Sequence, residues 1–134
     1  MINFMKSGKK LLIFIISFII AFIFWRLKVF LFYNNGELPF LREITGLTIH
    51  HYHYGLIFVL IAALLLIFYE VNGWSVGLMG FGLGSVFDSF VSRLFAGTNR
   101  IREVVGYNDS FIFTLVLFAN IILLSIVFYY LGRE

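Results

Sequence analysis

HHYHYGLIFVLIAALLLIFYEVNGWSVGLMGFGLGSVFDSFVS, residues 50–92, decides the fold. It holds two long apolar runs separated by Glu70, Val71, Asn72 and Gly73, a connection so short that the two runs must lie antiparallel. Each run approaches the roughly 20 apolar residues that a helix needs to cross a bilayer. The runs are continuous rather than alternating, and so few segments could not close a barrel, so they read as helices and not as strands. The predicted unit is a tight antiparallel hairpin, with helices at about 50–70 and 73–95.

Two further runs flank the hairpin. A first helix is predicted over about 11–33 and a last one over about 109–132, with Asn108 or Asp109 as its N-cap. Lys6, Lys9 and Lys10 ahead of the first run superficially resemble a signal peptide. No small-residue cleavage site follows; Trp25-Arg26-Leu27-Lys28 continues the run, so it reads as a retained helix. Arg26 and Lys28 fall near its far end, where long stems can reach the headgroups. Asn34-Asn35-Gly36 ends that helix, and Pro39 marks an irregular connector to about Thr48. The expected fold class is all-α: one four-helix integral membrane bundle spanning residues 1–134 as a single domain.

Composition points the same way. The chain is 61% hydrophobic and 13% charged, and 18 of its 134 residues are Phe, a surface that would aggregate in water. A mean hydropathy of +0.98 makes lipid its expected partner and a multi-pass place in a cell membrane its expected location. The absence of cysteine excludes disulfides, thiolate metal sites and cysteine nucleophiles. The net charge of +3 is scattered, with no basic stripe or aromatic platform, so no nucleic-acid partner is expected. Lys6, Lys9, Lys10 and Arg133 fall on one side, and Arg42, Arg93, Arg100 and Arg102 on the other. The positive-inside rule leans toward a cytoplasmic histidine side.

Within the third run, Gly73, Gly77, Gly80 and Gly84 lead to Asp88 and Ser92. At about 100° per residue these fall on one helix face, as small residues do where membrane helices approach closely. Asp88 lies about two turns from the end of its helix, where a carboxylate needs a partner, water or a proton. Its expected structural role is an ion pair with Arg93 or a hydrogen-bonded neutral acid; its functional one is a metal ligand, proton carrier or pore-lining anion.

His50, His51 and His53 are the chain's three histidines, side by side at the start of the second helix. Histidine binds metals readily and titrates near neutrality. With Asp88 they form the candidate site for a divalent transition metal (zinc, iron, copper or nickel) or for a proton. On one helix His50 and His53 share a face, while His51 points about 100° away, toward the smaller face of Gly55, Phe58 and Ala62. Two histidines plus Asp88, or one histidine per protomer in a homo-oligomeric ring, are therefore the workable sets. Folding the hairpin about Asn72 sets Asp88 opposite Ile57 or Phe58, about 7 Å along the axis from His53. The alternative for the histidines, with Tyr52 and Tyr54, is an interfacial belt. Asn120, mid-way along the last helix, is expected to hydrogen-bond between helices, with a pore-lining role as the alternative.

His50-His51 opening a helix, Gly55 four residues after His51, and Gly80-Phe81-Gly82-Leu83-Gly84 ending in Asp88 resemble a pattern in small prokaryotic integral membrane proteins of unassigned function. In those proteins a His-His helix precedes a Gly-rich helix ending in Asp-Glu or Asp-Asp. The similarity covers about residues 47–95, with Ser89 where a second acid would stand. The resemblance implies no activity.

Three functions follow as expectations. The first is an oligomeric metal or proton conduit using Asp88 and the histidines. The second is a metal-dependent membrane enzyme acting on a lipid or quinone. The third is a structural or accessory membrane subunit.

Overall fold

The computed structural model describes residues 7–32, 50–96 and 107–132. Asn34, Gly36, Pro39, Arg42, Thr48, Arg100 and Arg102, with the terminal Lys6 and Arg133, lie outside the described residues. Four helices follow in order: α1 (Ser7–Phe32), α2 (His51–Phe68), α3 (Gly73–Ala96) and α4 (Phe111–Leu131). All four are long and apolar enough to cross a membrane, and no strand occurs among the described residues.

The α2–α3 hairpin forms as its short turn dictates. Tyr69 leaves α2 in extended backbone (φ −131°, ψ 173°), its N–H donating to the Leu65 carbonyl at 2.9 Å. Asn72 then starts α3 with a reciprocal cap. The Ser75 N–H donates to Asn72 Oδ1 (3.0 Å), and the Asn72 N–H donates to Ser75 Oγ (3.2 Å). Two N–H groups with no partner inside the helix are thereby satisfied. Replacing Asn72 with alanine is expected to cost about 1 kcal/mol, readable as a lower unfolding midpoint.

The last helix starts differently from the expectation. A helical turn at 107–109 runs into Ser110, whose carbonyl accepts from the Thr114 N–H at 2.8 Å. Ser110 occupies the N-cap position without a side-chain cap bond, so neither Asn108 nor Asp109 caps α4. With the cap at Ser110, Tyr107 lies buried at the helix entrance.

Helix α3 is the centre of the molecule, packed along its length on both α1 and α2, while α4 touches α1 and α3 only lightly. The glycines explain how α3 accommodates two neighbours. A Cβ on Gly80 would stand 2.6 Å from the Phe14 carbonyl oxygen, and one on Gly84 would stand 2.7 Å from that of Phe18. The glycine stripe therefore meets α1, not the α2 face that carries His51. The contact with α2 runs through Gly82, where a Cβ would lie 2.8 Å from the Gly55 oxygen and 2.9 Å from the Val59 nitrogen. Two residues at about 100° each carry Gly82 to the opposite side of α3 from Gly80. Gly80, Gly82 and Gly84 thus let a helix approach on either flank.

Between α1, α3 and α4 the interior is aromatic. Phe18 is fully buried and stacks on Phe118 at 4.2 Å, with Phe14, Phe22 and Phe87 around this pair. Helix α4 buries only Thr114 and Phe118.

Candidate functional site

Above this aromatic layer lies a buried polar cluster to which every helix contributes. Asp88 of α3, Arg26 of α1 and His51 of α2 meet there, with Tyr107 from the turn before α4 and Thr114 from α4 itself. None of the five is more than 5% exposed. Charged groups so placed persist only when paired and hydrogen-bonded.

Arg26 is the organiser. Its Nε donates to Asp88 Oδ1 at 2.6 Å and its Nη2 to Thr114 Oγ1 at 2.8 Å, while Nη1 donates to the Tyr107 carbonyl. Its guanidinium lies 5.4 Å from the Phe22 ring centroid and 5.0 Å from that of Tyr107, so cation–π attraction adds to the hydrogen bonds. The planar fork of arginine suits this divergent set of acceptors where a lysine would not. Both sequence expectations for these charges are corrected. Arg26 does not reach toward headgroups but turns inward, and the partner of Asp88 is Arg26, not Arg93. Arg93 instead sits over the Tyr52 ring at 4.7 Å.

His51 lies on the other side of the carboxylate, its Nε2 3.2 Å from Asp88 Oδ2. That pair is within ion-pair range but out of line for a hydrogen bond, and Oδ2 is left with no hydrogen-bond partner. The His51 ring stacks on Trp25 at 4.8 Å, and Trp25 is fixed by donating its Nε1–H to Ser85 Oγ at 2.7 Å. Ser85 Oγ in turn donates to the Phe81 carbonyl at 2.8 Å. The Tyr107 hydroxyl is nearly equidistant from the two His51 nitrogens, 3.0 Å from Nδ1 and 3.1 Å from Nε2. In the ring plane those distances would drive the oxygen into Cε1, so the hydroxyl lies off the plane. Burial and then the Asp88 charge push the Tyr107 phenol up from its ordinary value, keeping it a neutral donor.

The His51–Asp88 contact is closer than the expected register implies, and the turn supplies the reason. With α2 ending at Phe68 and α3 starting at Gly73, the hairpin pivots near Glu70 and Val71 rather than at Asn72. That moves the residue opposite Asp88 from Ile57 or Phe58 by about four to five residues, or roughly 6–7.5 Å, toward His51.

Of the four predicted ligands, His51 and Asp88 come together. His50 and His53 form the start of α2 instead: the His50 N–H donates to His53 Nδ1 at 3.0 Å, and His53 packs on Tyr52 at 3.8 Å. Among the described residues no group of three or more His, Asp or Glu side chains is arranged to hold a metal ion. Asn120 is exposed on α4, its Nδ2 donating to the Val116 carbonyl of its own helix at 2.8 Å rather than to another helix. Sequence reasoning missed Arg26 and Tyr107. It also missed Ser89 and Ser92, buried beside the Tyr107 phenol, Ser89 being where the resemblance calls for a second acid.

A cleft of about 260 Å³ opens beside the cluster, lined by Phe24, Trp25, Lys28, Tyr54, Phe58 and Phe81. Trp25 is at once a wall of this cleft and the ring stacked on His51. No protein-family model, curated protein or solved structure matches this chain.

Proposed function

We propose that this chain is a multi-pass integral membrane protein whose buried Arg26–Asp88–His51–Tyr107 cluster takes up and releases a proton, serving a proton-conducting or proton-coupled assembly. The observation that carries this is Asp88 Oδ2: fully buried, without a hydrogen bond, and 3.2 Å from an imidazole nitrogen. A proton held between those two atoms, after a small rotation of the ring, supplies the bond that is missing.

A proton fits this site better than a metal ion does. Only two donors converge, and the carboxylate already has a guanidinium on its other oxygen, so a divalent cation would face Arg26 across Asp88. Charge counting shows what uptake would do. Arg26 and Asp88 cancel, and Tyr107 is neutral, so one more proton leaves the buried cluster with a net positive charge. Lys28 on α1 adds to that field. The added charge weakens the hold of Arg26 on Asp88, which links protonation to the packing of α1 and α4. Trp25 separates the site from the cleft and is the residue that would have to shift for water to reach His51.

The Phe18–Phe118 layer fills the interior of one protomer, so a conduit would run between protomers or through transient hydration. One observation favours the accessory role as a second reading. The donors of Arg26 join α1, α3, the 107–109 turn and α4 at one end, as a purely architectural clamp would.

Proton flux into liposomes separates the two. Wild-type protein is expected to acidify dye-loaded vesicles under an imposed pH gradient, and Asp88→Asn to abolish the excess over empty vesicles. Equal flux through both proteins overturns the conducting role. Flux through neither moves the architectural clamp to the front.

A further inference from the structure

We propose that α4 is the face on which a second copy of this chain docks, with Asn120 of each copy hydrogen-bonded to Asn120 of the other across a two-fold axis. The cluster described above takes no part in this contact, so the proposal stands independently of the proton-handling role.

Asn120 lies near the middle of α4 and is exposed. One amide N–H reaches the Val116 carbonyl at 2.8 Å; the other N–H and the amide oxygen have no partner among the described residues. Around it Val116, Leu123, Leu124 and Val127 are 43–59% exposed, all apolar. In hydrocarbon such an amide finds nothing to bond, because acyl chains carry no donor or acceptor. The surface it occupies is therefore right for lipid at every position but this one.

The chemistry of the amide selects the occupant. A carboxamide carries both a donor and an acceptor, so its natural complement is another carboxamide in the reversed sense. For two copies inserted in the same direction, a two-fold axis along the membrane normal sets their α4 helices parallel. Residue 120 then meets residue 120 at equal depth. Residues 113, 116, 120, 123 and 127 are spaced alternately by three and four, the seam spacing of a two-stranded coiled coil. A single asparagine in such a seam fixes register and oligomer state. The light packing of α4 on its own protomer leaves Val116, Asn120, Leu123 and Val127 of this seam exposed.

The test uses the full chain in liposomes. Self-association is measured by energy transfer between donor- and acceptor-labelled copies as protein is diluted in lipid. Asn120→Leu is expected to raise the dissociation constant about three- to twenty-fold, the range of an interhelical hydrogen bond in a membrane. Asn120→Gln, which keeps the amide, is expected to recover part of that loss. Helical content by circular dichroism is unchanged in both, since Asn120 is exposed and, among the described residues, hydrogen-bonds only within its own helix. The chain has no cysteine, so single cysteines report the face directly. Val116→Cys and Leu123→Cys are expected to cross-link between copies, and Leu115→Cys and Ile122→Cys are not. Association of Asn120→Leu as strong as wild type, cross-linking through Leu115 and Ile122 instead, or a wild-type chain that stays monomeric would each overturn the proposal.

Discussion

Arg26→Met is expected to destabilise the protein by about 3–5 kcal/mol, because it strands a fully buried carboxylate. The cost is not the lost attraction alone. Asp88 Oδ1 and Thr114 Oγ1 lose the Arg26 donor at once, and the Tyr107 carbonyl keeps only the Ser110 hydroxyl, 3.4 Å away. Removing both charges in Arg26→Met/Asp88→Leu is expected to restore much of that stability, since two apolar groups of similar volume leave no unpaired charge. Unfolding in detergent micelles measures both variants. A single variant within about 1 kcal/mol of wild type would mean that Arg26 has a polar environment other than this cluster. A double variant no better than the single would mean that the hydroxyl and carbonyl partners, rather than the carboxylate, dominate.

The second large effect belongs to Gly82. Gly82→Leu is expected to abolish the native α2–α3 contact and cost at least about 3 kcal/mol, the upper end of overpacking penalties. The atoms that its Cβ would strike are the Gly55 oxygen at 2.8 Å and the Val59 nitrogen at 2.9 Å, both backbone, so no side-chain rotation relieves them. Gly77 is the internal control on the same helix. Its nearest neighbour is Ser17 Oγ at 3.4 Å, an ordinary contact with the end of a side chain, so Gly77→Ala is expected to be near neutral. Forcing α2 away at Gly82 also draws His51 from Asp88, so the proposed function predicts that proton uptake is lost along with stability. Gly82→Leu unfolding at the wild-type midpoint would contradict the observed helix approach.

Much of this architecture was legible from residue pattern. Continuous apolar runs predict the four helices, and the short stretch around Asn72 predicts the hairpin. The small face of α2, carrying His51 and Gly55, does turn inward as its spacing implies. The partner of each face was less legible. A stripe of glycines says that a helix comes close and not which one; here Gly80 and Gly84 receive α1, and the less regular Gly82 receives α2.

Arg26 escaped for a related reason. A cation near the end of an apolar helix reads equally as a residue reaching outward or one turning in. Phe22 and Val29, one turn to either side, are apolar, but so is nearly all of α1, and only the packing shows that Phe18, Ala21, Trp25 and Val29 are buried with Arg26. A deep carboxylate with no charged residue beside it on its own helix face also asks for a cation from elsewhere. Tyr107 carried no comparable signal, since it lies in a polar connector and is buried in the helical turn at 107–109 ahead of Ser110. Three adjacent histidines suggested one site, whereas helical geometry splits them into a buried member and a pair at the helix entrance.

The most direct test of the proton-binding claim is the ¹⁵N nuclear magnetic resonance of His51 across pH, in histidine-labelled protein embedded in lipid nanodiscs. The resonances are assigned by their loss in His51→Gln. The cluster predicts that both ring nitrogens of His51 move together through one reversible transition as the pH is lowered across the range titrated, and that Asp88→Asn displaces or removes it. A His51 ring that keeps one neutral tautomer over that whole range, in wild type and Asp88→Asn alike, would contradict proton exchange at this site.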